Sequence, residues 1–162
     1  MKRKTMLVTL LLVGVFAACT IKSGSNEQSN NQTVDQKAIR MKNLISIVEI
    51  PVTDFSRAVT FYQAILGFKI EEMEMDGVKM GVLPNNGETV NVVLAKGKDY
   101  QPTANGAILY LNAGDDLKSV ADKIEQNGGK VIVAKTEISP EMGFFALFID
   151  TEGNKLGLHS TH

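Results

Sequence analysis

Cysteine is almost absent from this sequence. Cys19 is the only one in 162 residues, so the chain cannot form an intramolecular disulfide. No thiol is left after position 19 for catalysis or for metal binding. A secreted domain without disulfides depends on its apolar core for stability, and an apolar fraction of 44% can supply such a core.

A strong charge of either sign is lacking too. Seventeen basic residues face 18 acidic ones, and without the leader residues Lys2, Arg3 and Lys4 the balance is 14 basic against 18 acidic. A mildly acidic domain without a stripe of Lys or Arg is unsuited to a phosphate backbone, so nucleic acid is not an expected partner. The motifs G-x-G-x-x-G, G-x-S-x-G and H-E-x-x-H and the P-loop are absent as well, which leaves nucleotide, phosphoryl, serine-hydrolase and zinc-protease functions without support.

Residues 1–19 have the composition of a signal peptide. A basic start precedes an apolar run from Met6 to Phe16, which is shorter than the roughly 20 residues that span a bilayer. Two alanines then precede Cys19, an arrangement that resembles the lipobox at which bacterial lipoproteins are acylated and cleaved. Cys19 is therefore the predicted lipidation site and membrane anchor. The alternative is an ordinary secretory signal with a chance cysteine.

Residues 20–43 are rich in Ser, Asn and Gln and show no apolar periodicity. Such a segment buries too little apolar surface to offset its chain entropy, which predicts a flexible tether. The domain is then expected outside the cytoplasm, anchored to the cell membrane. In a cell with two membranes the outer membrane is the alternative, because Thr20 rather than Asp follows the cysteine.

The remaining domain, residues 44–160, contains an internal repeat. Its first copy reads as a strand, a helix and three strands. Asp54 can cap the helix and Gly67 can end it. The apolar face of the helix has spacings of three and four and consists of Ala58, Phe61, Tyr62, Ile65 and Leu66. The strand patterns that follow are Phe68–Glu74, Val78–Leu83 and Thr89–Ala95.

The second copy repeats this order. Asp115 or Asp116 can cap its helix, Gly128-Gly129 can end it, and the apolar stripe is Leu117, Val120, Ala121 and Ile124. Its strand patterns are Lys130–Ala134, Gly143–Ile149 and Lys155–His159. Two βαβββ modules at about 44–95 and 106–160 are therefore predicted, although two similar stretches can also arise by chance.

Three stretches, taken in order, resemble the vicinal oxygen chelate superfamily, which includes glyoxalase I, bleomycin-resistance proteins and extradiol dioxygenases. They are V-T-D-F-S-R-A-V-x-F-Y-x-x-I-L-G-F at 52–68, Asn-Gly-Gly at 127–129 and I-D-T-E-G-N-K-L-G-L-H at 149–159. The resemblance is greatest to the glyoxalase-related branch. It implies an α+β fold in which two βαβββ modules form an incompletely closed mixed sheet around one pocket.

Enzymes of this superfamily hold a divalent metal with side chains from four strands. The resemblance places the four positions at Ile47, at Ile108 or Leu109, at Asn91 and at Gly157. Aliphatic side chains and a glycine bind no metal, and an Asn carbonyl is a weak ligand for a transition metal. Since such a metal requires three or more N, S or carboxylate donors, the sequence predicts a pocket with no metal and no other cofactor.

Side chains two apart on a strand share a face. If Ile47, Ile108 and Gly157 face the pocket, Glu49, Tyr110 and His159 face it too. The hypothesis is a Glu49–His159 pair, helped by Tyr110, that binds a polar ligand or transfers a proton. Gly157 is expected to leave space for the ligand, and the other predicted ligand-binding residues are Tyr110, Asn91 and Phe144. The alternative is that Glu49 and His159 satisfy each other in a purely structural network.

Three functions remain open at this point. The first is a membrane-tethered protein that binds a small molecule in a metal-free pocket. The second is a metal-independent lyase or isomerase with Glu49 as base and His159 as acid. The third is an interaction module of the cell envelope with a vestigial pocket. The fold alone decides between none of them, and a homodimer is equally left open.

Overall fold

The computed structural model describes residues 43–162. The predicted signal peptide, Cys19 and all of the predicted tether except Asn43 lie outside these residues. No helix in the described part of the chain is long and apolar enough to cross a membrane.

Two βαβββ modules follow one another along the chain. The first contains β1 (Ile47–Pro51), α1 (Phe55–Leu66), β2 (Glu71–Met75), β3 (Val78–Val82) and β4 (Asn91–Lys96). The second contains β5 (Tyr110–Asn112), α2 (Lys118–Gln126), β6 (Lys130–Ser139), β7 (Gly143–Ile149) and β8 (Lys155–Ser160). β6 is longer than the predicted strand Lys130–Ala134. Bulges shift its pairing with β7, and the strand therefore continues past the point where apolar and polar residues stop alternating in the sequence.

Each module forms its own four-stranded sheet, with the orders β1-β4-β3-β2 and β5-β8-β7-β6. The first strand of each module is parallel to the last, and the other pairs are antiparallel. The helix supplies the long connection that parallel strands require. In residues 43–162 the two mixed sheets stay open rather than closing into a barrel, which confirms the predicted α+β fold of two modules.

α1 begins and ends where the sequence predicts. Asp54 accepts a hydrogen bond from the backbone amide of Arg57 at 3.1 Å. Gly67 has a φ of 78° and donates its amide to the Gln63 carbonyl, a left-handed cap that favours glycine. The predicted apolar residues of this helix are buried, except that Leu66 packs against the core while partly exposed.

α2 begins later than predicted. Its N-cap is Leu117, which is fully buried and makes no side-chain cap bond. The predicted cap, Asp116, accepts a hydrogen bond from the Lys118 amide at 2.9 Å, one residue before the assigned cap. Burial of Leu117 fixes this turn, so the first residue of the predicted apolar stripe ends up outside the helix.

The hydrophobic core is continuous across both modules because α1 contacts both sheets. Phe61 packs edge-on against Tyr62 and lies 6.4 Å from Phe148 of β7, measured between ring centroids. At its other end α1 places Phe55 against Gly81 of β3, where an added Cβ would lie 3.5 Å from the Phe55 ring. One helix of the first module therefore covers part of the second.

The turn between β7 and β8, residues 150–154, also joins the modules, and we call it the inter-module turn. Buried Asp150 accepts hydrogen bonds from the Tyr62 hydroxyl at 2.8 Å and the Asn154 amide at 2.9 Å. Asn154 also donates to the Pro51 carbonyl and accepts from the Thr103 amide. Burial and the Asp150 carboxylate raise the pKa of Tyr62 well above its ordinary value, so its hydroxyl remains a donor.

Glu152 of the inter-module turn caps α1 from the second module. Its carboxylate accepts hydrogen bonds from the Thr53 and Asp54 amides at 2.9 and 2.8 Å, and from Nε of Arg57 at 2.8 Å. Burial opposes ionisation of Glu152, but the bonds from Arg57, Asp54 and Thr53 outweigh it and lower its pKa to about 2. The negative charge also lies at the positive end of the helix dipole.

Replacing Glu152 by Gln should lower the free energy of unfolding at pH 7 by about 2–3 kcal/mol, because a buried charge-assisted set of hydrogen bonds is lost. The pKa of Glu152 in the folded state lies below the ordinary 4.5, so its stabilisation is present above pH 4.5 and is lost as the pH falls towards 2. The stability difference between wild type and Glu152→Gln should shrink over that interval, as measured by urea unfolding.

Glu88→Gln is the matched control. Glu88 lies in the corresponding turn of the first module, and its carboxylate makes no hydrogen bond or ion pair within residues 43–162. The free energy of unfolding of the Glu88→Gln variant should equal the wild-type value at every pH. A Glu152→Gln effect that does not vary with pH would contradict the role of the charge.

Candidate functional site

Strand register identifies the partners of three predicted metal-ligand positions, Ile47, Asn91 and Gly157. Ile47 lies opposite Asn91 across β1 and β4, and Tyr110 lies opposite Gly157 across β5 and β8. Because the modules are duplicates, equivalent positions form equivalent pairs. The counterpart of Ile47 in the second module is therefore Tyr110.

This register corrects the sequence prediction, which placed that counterpart at Ile108 or Leu109. The difference of one or two residues arises because the sequence prediction capped α2 at Asp115 or Asp116. The observed N-cap is Leu117, so Tyr110 precedes its helix cap by as many residues as Ile47 precedes Asp54. Ile108 and Leu109 precede β5 and line a cavity beside β1.

The four residues do not fit a divalent metal. They offer an aliphatic chain, an amide, a phenol and a bare backbone, whereas such ions require several N, S or carboxylate donors. Across residues 43–162 no three His, Cys, Asp or Glu side chains converge on a common point. The donor set at these positions therefore does not match the metal centre that the resemblance implies.

The Tyr110 ring occupies the space beside Gly157. A Cβ added at Gly157 would lie only 2.3 Å from Cδ1 of this ring. The ring also meets Phe145 edge to face, with centroids 6.4 Å apart, and 45% of Tyr110 remains exposed. Gly157 thus makes room for a neighbouring side chain, whereas the sequence prediction was that it makes room for a ligand.

Glu49 lies on the exposed face of β1 and accepts a hydrogen bond from the Tyr100 hydroxyl at 3.0 Å. This bond raises the pKa of Tyr100. Tyr100 was missed at the sequence level because it lies in an irregular loop, where periodicity carries no information. The one local signal is Gly97, whose hydrogen atom faces the Tyr100 ring: a Cβ there would lie 3.1 Å from it.

His159 lies on β8, and its Nε2 is 2.7 Å from the Met142 carbonyl oxygen. Because a carbonyl only accepts, Nε2 carries the proton and Nδ1 is the acceptor of the neutral ring. His159 and Tyr110 line one cavity of about 370 Å³, together with Asn112, Gly114, Ser160 and Thr161. These two predicted site residues are therefore brought together.

Glu49 and His159 are not brought together. They belong to different sheets, and each has a different hydrogen-bond partner, so the predicted direct pair does not form. This applies equally to the catalytic version of the pair and to the structural one. The alternation of side chains along a strand predicted that both residues lie on the corresponding faces of their sheets. This alternation contains no information on the distance between the two sheets.

Phe144 faces away from Tyr110. It pairs with Ser160, packs against the hydrophobic core, and lies 4.5 Å from the Lys135 ammonium. Its neighbour Phe145 lies opposite His159 on the adjacent strand, and the two side chains share a face of the sheet. Asn91 is exposed and hydrogen-bonds to the Asn85 amide.

Comparisons with known proteins identify the family of this chain. Residues 44–158 match the family model described as Glyoxalase/Bleomycin resistance protein/Dioxygenase superfamily. A "Glyoxylase-like domain-containing protein" from Didymella fabae is 33% identical over 113 residues, which are 68% of this chain and 88% of that protein.

Solved structures share the fold. Glyoxalase I from Zea mays has a TM-score of 0.58 at 15% identity over 72% of this chain and 44% of the maize chain, so this chain spans less than half of it. TnmS3, an antibiotic binding protein from Streptomyces sp. CB03234, has a TM-score of 0.57 at 23% identity over 73% of this chain and 95% of that chain. The chain belongs to the Glyoxalase/Bleomycin resistance protein/Dioxygenase superfamily.

Proposed function

We propose that this protein binds a small molecule without a metal, while a lipid on Cys19 holds it at a membrane outside the cytoplasm. The superfamily fold is consistent with small-molecule binding, and a structural neighbour over nearly its whole length is an antibiotic binding protein. The anchor is inferred from the apolar leader and from the placement of the only cysteine.

The observation that carries the proposal is the pair of Tyr110 and Gly157. With Tyr110 in place of Ile108 or Leu109, two of the four positions that correspond to metal ligands have a phenol and a glycine, and the phenol ring fills the space at the glycine. A half-exposed aromatic ring suits a ligand with an apolar or aromatic face. Nearby, the His159 tautomer that donates from Nε2 to the Met142 carbonyl has Nδ1 as an acceptor for a ligand donor.

The same geometry disfavours acid-base catalysis by the predicted pair. A base and an acid that act on one substrate must both reach it within hydrogen-bond distance. Glu49 and His159 line separate cavities, so the lyase or isomerase alternative has lost the pairing on which it rested.

A thermal-shift screen tests binding. Compounds with an aromatic face should raise the melting temperature by several degrees at 100-fold excess over Kd, equivalent to about 2.7 kcal/mol. EDTA should change neither the melting temperature nor the shift. Tyr110→Ala should abolish the shift, while Met75→Ala, on an exposed edge strand, should retain it. One equivalent of bound transition metal in purified protein, lost with EDTA, would overturn the metal-free pocket.

The contact of Tyr110 with Gly157 can be tested by a double-mutant cycle. Gly157→Ala forces its methyl group into the Tyr110 ring and should cost about 1–3 kcal/mol of stability. In a Tyr110→Val background the same substitution should cost much less, because the ring is gone. Equal costs in both backgrounds, measured by urea unfolding, would show that the ring does not fill this space.

Lipidation can be tested in bacterial cells grown with an alkyne fatty acid. The wild-type chain should take up the label and sediment with membranes, whereas Cys19→Ser should carry no label. Thr20→Ser, which keeps the cysteine, is the matched control and should be labelled. Wild-type protein that is unlabelled and released into the medium would instead favour an ordinary secretory signal.

A further inference from the structure

A cleft lies between the modules, next to the first strand of each sheet. One cavity of about 320 Å³ runs along β1 from Val48 to Pro51, with Ile108 and Leu156 among the residues of its far wall. A second cavity of about 450 Å³ shares Ile45, Val48 and Leu109 with the first. Shared walls make the two cavities neighbours, and we call them together the inter-module cleft.

The walls of the inter-module cleft are mainly aliphatic. The second cavity adds Leu66, Phe68 and Val92 from the first module and Leu111 from the second. Sites of this size with apolar walls and few polar groups suit the apolar body of a small molecule. Because the two cavities share walls, a molecule long enough to reach from one into the other can use the apolar surface of both.

One uncommitted charge faces the inter-module cleft. Lys155 lines the first cavity and is half-buried, and its ammonium makes no ion pair or hydrogen bond among the described residues. A cation that has no partner and lies beside apolar walls is available to pair with an incoming anion.

The acidic group of the same cavity is already engaged. Glu49 accepts the hydrogen bond from Tyr100 and forms no ion pair with Lys155. Asn154, which also lines the first cavity, is held by hydrogen bonds to Pro51 and Thr103. The polar end of the cleft therefore has one carboxylate that already holds a hydrogen bond and one cation that has no partner.

We propose that the inter-module cleft binds an elongated apolar carboxylate, similar to a fatty acid, with its chain along Val48 and Leu109 and its carboxylate at Lys155. This inference rests on the proposed binding function and adds a ligand class and a second contact region to it. The contact is an ion pair plus apolar burial, with no covalent step.

The test uses calorimetric titration of the chain from Thr20 onward with two ten-carbon probes, decanoate and decylammonium. This chain retains every residue of the hydrophobic core. Decanoate should bind at least about tenfold more tightly than decylammonium, as expected for one charge-assisted contact against a repelled charge. Lys155→Met should weaken decanoate binding about tenfold or more. Lys130→Met, which changes an exposed strand lysine away from the cleft, should not.

Val48→Phe is the second variant, because Val48 borders both cavities. The larger side chain should displace the decanoate chain and abolish binding while leaving Lys155 in place. Circular dichroism and the melting temperature establish that the variant is folded. Retained binding in a folded Val48→Phe protein would overturn the assignment of the cleft.

The remaining outcomes also decide the matter. Equal or tighter binding of decylammonium would show that Glu49 binds the polar end of the ligand, and it would overturn the proposal that the ligand is a carboxylate. Dimerisation lost in Val48→Phe would assign the cleft to a second copy of the chain. If decanoate fails while compounds from the thermal-shift screen still bind, the ligand class is wrong and the proposed function survives. If nothing binds, both fail.

Discussion

Glu152 is the charge on which the arrangement of the two modules depends. Glu152 belongs to the second module, yet its carboxylate accepts hydrogen bonds from the two backbone amides that precede α1 in the first module. It also forms an ion pair with Arg57. Asp150 precedes Glu152 by two residues and Asn154 follows it by two. Asp150 hydrogen-bonds to Tyr62 and Asn154 hydrogen-bonds to β1, so the same turn contacts the first module at both points. A buried carboxylate is tolerated here because its bonds more than offset the cost of desolvation.

Joining the modules through α1 and the inter-module turn has a structural consequence. The two sheets do not need to pair with each other, so β1 and β5 remain the outer strands of their own sheets. Cavities lie along these strands. The same arrangement separates Glu49 from His159 and leaves Lys155 beside an aliphatic cleft. What holds the domain together therefore also determines where a ligand has room.

Local patterns predicted much of the fold because their causes are local. Asp54 and Gly67 act on the neighbouring turn of backbone, so the bounds of α1 could be predicted. Leu117 differs, since its burial in the core moved the start of α2 beyond the predicted cap. At the site, the alternation of side chains along each strand predicted that Tyr110 and His159 face the same side. It could not show that the Tyr110 ring would fill the space at Gly157, or that Tyr100 would bind Glu49.

By itself, the sequence determined the duplicated βαβββ order, the residues that enter the core and the lack of metal-binding side chains at the expected positions. Each of these depends on residue type and on spacing of a few residues along one element. Only the tertiary structure decided which side chains meet across the modules: Glu152 with Thr53 and Arg57, and Tyr62 with Asp150. Those contacts join residues that are 88 to 99 positions apart in the sequence. Their geometry depends on how two sheets and a helix pack, and the spacing of residues within one strand contains no information on that packing.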